Sequence, residues 1–244
     1  MNKWLESDRC LVIAHRGASA AAPENTLAAF RLAADLGADA VELDVRRTVD
    51  GQLVVIHDAS VDRTTDGTGR VAALTLDQLR RFDAGRKFGP PFRGERIPLL
   101  SKVFEALGGR LLVDVEVKAA GVEAALLDLI KKMQMVDSVL ISSFDAQVVA
   151  HVRDLAPEMP AGLLQSAADP YAAVSVRATA YLPEVTALTA DVVASCRSHG
   201  LRVITWTVRT EEEARQALRV GVDGIIADDP TLIRKMLARL KTSP

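Results

Sequence analysis

The 244-residue chain is 49% hydrophobic, enough to build the core of one large α/β domain. Its 30 basic and 32 acidic residues leave a formal net charge of −2 with no blocks of like charge, which argues against a nucleic-acid binder with a basic face. No apolar run approaches bilayer length, and the opening stretch MNKWLESDR holds no apolar segment of signal-peptide length, so a soluble cytoplasmic protein without membrane insertion is expected.

The first element is the apolar run 10–14, a strand buried on both faces that stops at His15-Arg16-Gly17. Pro23-Glu24-Asn25-Thr26 opens a helix with Asn25 or Thr26 as N-cap, and Gly37 closes it. The strand 40–45 follows, so the first three elements form a right-handed βαβ unit. Past a turn at Asp50-Gly51, Leu53-Val54-Val55-Ile56 returns as a short hairpin arm ending in His57-Asp58. Residues 59–100 are rich in turn formers and prolines, among them Asp66-Gly67-Thr68-Gly69 and Gly89-Pro90-Pro91, and read as an excursion on one rim. Helices and strands then alternate: helix 101–108, strand 111–118, helix 121–134, strand 137–143, helix 145–155, strand 160–164 and helix 168–175. A weak strand near 178–182, helix 189–199, strand 202–208, helix 210–219, strand 223–227 and helix 230–240 complete the series. Eight strand–helix units in one chain of this length predict a single-domain (β/α)8 barrel, or TIM barrel, over residues 1–244, with an insertion after strand 2 on the active-site rim. Cys10 and Cys196 lie far apart in sequence and outside any CxxC pattern, which predicts buried free thiols.

A barrel gathers its chemistry at the C-terminal strand ends, and polar residues accumulate there. Glu42 and Asp44 share one face of strand 2 while Val41, Leu43 and Val45 take the other. Two carboxylates side by side on an apolar strand call for a cation between them, most simply a divalent metal. Strand 3 alternates strictly, with Asp114, Glu116 and Lys118 toward the lumen and Val113, Val115 and Val117 toward the helices. Setting Glu42, Asp44 and Glu116 against Arg16, Lys118 and one divalent cation leaves a single positive charge, which suits a monoanion such as a phosphodiester. All-oxygen ligation points to Mg²⁺ or Ca²⁺ rather than zinc. Imidazole as a group titrates near neutral pH, so His15 and His57 are candidates for a general base and a general acid.

These residues resemble the glycerophosphodiester phosphodiesterases. The resemblance rests on His15-Arg16-Gly17, Pro23-Glu24-Asn25-Thr26, Glu42-Leu43-Asp44, His57-Asp58, the run Asp62-Arg63-Thr64-Thr65-Asp66-Gly67-Thr68-Gly69 and Gly94-Glu95-Arg96-Ile97-Pro98. It continues through Glu116-Val117-Lys118, Ser142-Ser143-Phe144, Thr205-Trp206-Thr207-Val208 and Gly221-Val222-Asp223-Gly224-Ile225, covering the chain from strand 1 to strand 8. It implies a metal-dependent hydrolase releasing sn-glycerol 3-phosphate and an alcohol from a small glycerophosphodiester, with water or the substrate's own glycerol hydroxyl as nucleophile. In that frame Glu42, Asp44 and Glu116 are the metal ligands, Arg16 and Lys118 hold the phosphate, and His15 and His57 are the acid/base pair; the resemblance does not assign the two roles, and we take His15 as base and His57 as acid. Phe144 and Trp206 wall the glycerol side. Three positions depart from the family's pattern: Ala180-Tyr181-Leu182-Pro183 stands where members carry His-Pro, Arg209 where Asn is common, and Asp114 where a neutral amide is expected. Two other readings are a lysophospholipase D-type activity using Phe88, Pro90, Pro91 and Phe92 as an apolar lip, and a non-catalytic phosphate-binding barrel.

Overall fold

Leu11-Val12-Ile13-Ala14-His15 carries no polar side chain before its last residue, and it forms β1 (Leu11–His15), buried along its length until His15. The computed structural model describes residues 2–242. Ahead of β1 lies the short α1 (Lys3–Glu6), which the sequence reading did not assign. Chain order then runs α2 (Leu27–Asp35), β2 (Ala40–Arg47), β3 (Leu53–Val55), α3 (Leu76–Leu79), α4 (Leu100–Leu107), β4 (Leu112–Val117), α5 (Glu123–Lys132) and β5 (Val139–Ser143). It ends with α6 (Ala146–Leu155), β6 (Ala161–Gln165), α7 (Pro170–Ser175), β7 (Ala180–Pro183), α8 (Ala190–Ser198), β8 (Arg202–Val208), α9 (Glu211–Val220), β9 (Gly224–Ala227) and α10 (Pro230–Thr242).

Among the described residues, β1, β2, β4, β5, β6, β7, β8 and β9 pair in parallel, and β1 bonds both β2 and β9, so the sheet closes on itself. The expected eight-stranded barrel is therefore the architecture. β3 lies antiparallel on β2, with Val45 opposite Val55, as the expected hairpin arm. Expected and observed element ends differ by a residue or two. The helix expected from 121 starts at Glu123 because Gly121 sits at φ +85°, outside helical space. Thr26, not Asn25, caps α2, its hydroxyl accepting from the Ala29 N–H. Asn25 has left-handed backbone and spends its side chain elsewhere.

Val113, Val115 and Val117 pack into the layer between strands and helices, as the alternation predicted. A second cluster of Leu11, Ile13, Ala40, Leu140, Leu182, Ile204 and Ile226 fills the lumen. Trp4 joins it from α1, donating its indole N–H to the Ser138 carbonyl at 3.0 Å and plugging the N-terminal mouth. The excursion has its own small core, in which Val61, Val71, Leu79, Ala84 and Ile97 pack against Val54 and Ile56 of the hairpin. Its elements are too short to show a period in sequence, which is why they read as loop. No helix among the described residues is long and apolar enough to cross a membrane.

Candidate active site

At the C-terminal end of the barrel a cavity of about 200 Å³ is lined by His15, Arg16, Glu42, His57, Glu116, Lys118, Phe144 and Trp206, with Leu164, Thr207, Arg209 and Ile226. Of the nine residues given metal, phosphate, acid/base or wall roles from the sequence, only Asp44 is not on its wall; it lies fully buried behind it. The local sequence explains the convergence. Gly17 has φ +81°, and a Cβ there would lie 2.7 Å from the Ala29 backbone, so the chain turns off β1 against α2 and leaves His15 and Arg16 at the rim. Parallel register sets Glu42 beside Asp114 and Asp44 beside Glu116 on neighbouring β2 and β4.

Oxygens of Glu42, Asp44 and Glu116 lie within 4.8 Å of one another. Glu42 Oε2 accepts from the Arg16 backbone N–H at 2.9 Å, but its Oε1 is buried with no hydrogen-bond donor among the described residues. Burial, then the charges of Asp44 and Glu116, push the Glu42 carboxyl well above the usual carboxylate range. Burial and Asp44 likewise raise Glu116 to about 7, against the opposing charge of Lys118. At Asp44 burial also opposes ionisation, yet Lys118 at 3.0 Å and Arg16 outweigh it and hold the carboxyl below its ordinary value. Ionised together, the three carboxylates would carry more negative charge than Arg16 and Lys118 balance, and Glu42 holds an oxygen with no donor. A hard divalent cation fits this donor set.

A stability prediction follows from these shifts. A carboxyl whose pKa is raised in the folded state supports folding only while protonated, so its contribution is lost as pH climbs through the folded value. Chelated protein is expected to melt lower by roughly 5 °C or more as pH rises from about 5 to about 8, and excess divalent cation is expected to flatten the profile. Thermal melts with and without chelator check it.

The cations and imidazoles are held from behind. Arg16 donates Nη1 to Glu24 Oε1 at 2.9 Å and sits 3.3 Å by Nε from Asp44 Oδ2. Lys118 forms ion pairs with both Asp44 and Glu116, and its ammonium stands 5.9 Å from the Phe144 ring centre. Phe144 meets Trp206 edge-on at 5.2 Å, and the Trp206 indole donates to the Leu182 carbonyl at 2.8 Å. His15 Nδ1 lies 2.5 Å from Asp228 Oδ1, and His57 Nδ1 lies 2.7 Å from Asp58 Oδ1. Each pair fixes the ring and leaves Nε2 for proton transfer. Burial lowers the pKa of His57.

Sequence reasoning missed the supports. Asp228 stands 213 residues from His15, and in the run Asp228-Asp229-Pro230 it reads as part of a helix start. Asn25, read from the sequence as an N-cap candidate, donates to Asp44 Oδ2 at 2.6 Å. Asp114, the departure from an expected neutral amide, accepts from the Ser142 hydroxyl at 2.7 Å, and burial raises its carboxyl to about 7. Arg209 is exposed at the mouth, its Nε 3.5 Å from Asp228 Oδ2.

Residues 15–232 match the model of the "Glycerophosphoryl diester phosphodiesterase family". A glycerophosphodiester phosphodiesterase of Caldanaerobacter subterraneus subsp. tengcongensis is 43% identical over 240 residues, covering 93% of this chain and 99% of that protein. One from Bacillus subtilis is 33% identical over 257 residues, covering 95% and 88%. Among solved structures, an Oleispira antarctica phosphodiesterase in complex with its product sn-glycerol-3-phosphate superposes with a TM-score of 0.88 at 30% identity, covering 93% of this chain and 96% of that one. Strand ends, cavity and comparisons agree: this chain belongs to the glycerophosphoryl diester phosphodiesterase family.

Proposed function

We propose that the protein hydrolyses glycerophosphodiesters, the deacylated phospholipid head groups, to sn-glycerol 3-phosphate and an alcohol. The observation that carries this reading is one small cavity in which a carboxylate cluster short of positive charge adjoins two basic side chains and two aspartate-backed imidazoles. Glu42, Asp44 and Glu116 would hold one divalent cation, Mg²⁺ or Ca²⁺. Bound there, it would supply Lewis-acid polarisation of the phosphate.

The chain's own residues do the rest. Arg16 and Lys118 draw the non-bridging phosphate oxygens toward the carboxylate cluster and offset the charge that builds as the attacking oxygen adds. His15, its Nδ1 on Asp228, accepts the proton of the attacking hydroxyl at Nε2. His57, its Nδ1 on Asp58, gives a proton from Nε2 to the departing alkoxide, and its lowered pKa makes the protonated ring the stronger donor. Phe144 and Trp206 shield the glycerol carbons from water. We further propose that residues 1–244 act as one catalytic domain whose segment 59–100 forms the rim. The two unbridged cysteines suit a reducing compartment, and the cytoplasm is the location we assign.

A cavity of about 200 Å³ suits a glycerophosphate group. The test is a panel of glycerophosphocholine, glycerophosphoethanolamine and a lysophospholipid, with glycerol 3-phosphate measured by a coupled dehydrogenase and acylated glycerol 3-phosphate from the lysophospholipid measured by mass spectrometry. Release from the two deacylated substrates is expected. Turnover of the acylated substrate alone, or binding without turnover of any, would overturn the reading.

A further inference from the structure

Arg63 lies in the excursion, half exposed, yet makes four hydrogen bonds to two carboxylates. Nη1 and Nη2 donate to Glu24 Oε2 and Oε1, each at 2.8 Å. Nε donates to Asp58 Oδ2 at 2.6 Å, and Nη2 also reaches Asp58 Oδ1 at 3.1 Å. The two oxygens that share Nη2 are the ones that hold one active-site cation, Arg16, and the acid, His57. Glu24 Oε1 accepts from Arg16, and Asp58 Oδ1 meets His57. Arg63 also keeps both carboxylates ionised. It is the foremost influence holding Asp58 well below the usual range, and at Glu24, where burial is the largest single influence, it acts with Arg16 to hold the carboxyl below its ordinary value.

An exposed ion pair contributes little to stability, so the consequence of this arrangement is geometric. A planar guanidinium serves two carboxylates at fixed angles, which a lysine's single ammonium cannot do. Without it, two like charges that buttress Arg16 and His57 would face each other and turn away.

We propose that Arg63 is a positioning residue of the reaction, its guanidinium fork setting Arg16 and His57 in register with each other through Glu24 and Asp58. The proposal rests on the phosphodiesterase reading and gives the excursion a role in it. Arg63 borders an open cavity of about 180 Å³ that Glu24, Lys87 and Phe88 also line, so the shorter Met fits in its place.

The test uses the metal-loaded full chain and glycerophosphoethanolamine. Arg63→Met is expected to lower kcat/KM by about 10- to 100-fold, with kcat falling through His57 and KM rising through Arg16, while the melting temperature barely moves. Arg63→Lys is expected to stay within about threefold of Arg63→Met. In a Glu24→Gln/Asp58→Asn background, Arg63→Met is expected to cost less than about twofold more, because its route of action is already cut. Wild-type rates from Arg63→Met, full rescue by Arg63→Lys, or the same loss in both backgrounds would overturn the proposal. Nitrogen-15 spectra of the histidine rings give a readout that needs no turnover. His57 is expected as a single Nδ1–H tautomer in the wild type and as an averaged mixture in Arg63→Met, and an unchanged ring would overturn the proposal. A wild type without turnover would sink the phosphodiesterase reading alone, with the ring spectra still deciding on Arg63.

Discussion

Replacing Glu42 by Gln is expected to lower kcat/KM by roughly 10³-fold and to weaken divalent-cation binding, with the fold intact. Asp44 Oδ1 and Glu116 Oε1 face the Lys118 ammonium, whereas the buried Oε1 of Glu42 has no hydrogen-bond donor, and its neighbours Asp44 and Glu116 raise its pKa rather than relieve it. Glutamine keeps the shape and accepts the Arg16 N–H, but it removes the charge that a cation would need. The metal-free protein should therefore gain stability from the change even as activity disappears, since one uncompensated buried carboxyl is gone. Asp114→Asn is the matched control. Asp114 sits one residue pair deeper, beside Glu42 in register, and its bonded partner is Ser142, so a neutral amide there is expected to keep activity within about threefold. Metal titration by calorimetry, with kinetics on the same samples, checks both variants.

The two histidines are expected to fail differently. His15→Ala and His57→Ala should each slow hydrolysis of an alkyl glycerophosphodiester by about 10²- to 10⁴-fold. A 4-nitrophenyl glycerophosphodiester leaves as a stable phenolate and needs no proton. On it His57→Ala should recover to within about tenfold of the wild type, while His15→Ala should stay impaired, because the attacking hydroxyl must still lose its proton. The reverse pattern would exchange the two roles, and unchanged rates in both variants would return the rings to a structural part.

Much of this site was legible in the chain because strands have a period of two. Glu42 and Asp44 on β2, and Asp114, Glu116 and Lys118 along and just past β4, could be placed on one face without any coordinates, and the barrel rule says where that face ends. The valines between them were readable as outward for the same reason. What periodicity does not carry is contact between elements far apart in sequence. Asp228 behind His15, Asn25 behind Asp44 and Arg63 across Glu24 and Asp58 are set by how loops settle on the rim. Asn25 shows the difficulty well: in sequence it is an ordinary N-cap candidate, and only its left-handed backbone turns it inward to the carboxylate. Trp4 was missed for another reason, since a single aromatic in a polar stretch shows no pattern until the open lumen that it plugs is seen.

The central claim is that a divalent cation held by Glu42, Asp44 and Glu116 is required for phosphodiester hydrolysis. It is tested most directly by stripping the wild-type protein with chelator and titrating Mg²⁺ or Ca²⁺ back while glycerol 3-phosphate release from glycerophosphoethanolamine is followed. The account predicts negligible turnover in the stripped protein and full recovery along a single-site saturation curve, with Glu42→Gln shifted to higher concentration or inert. Undiminished turnover in the exhaustively chelated protein would contradict it.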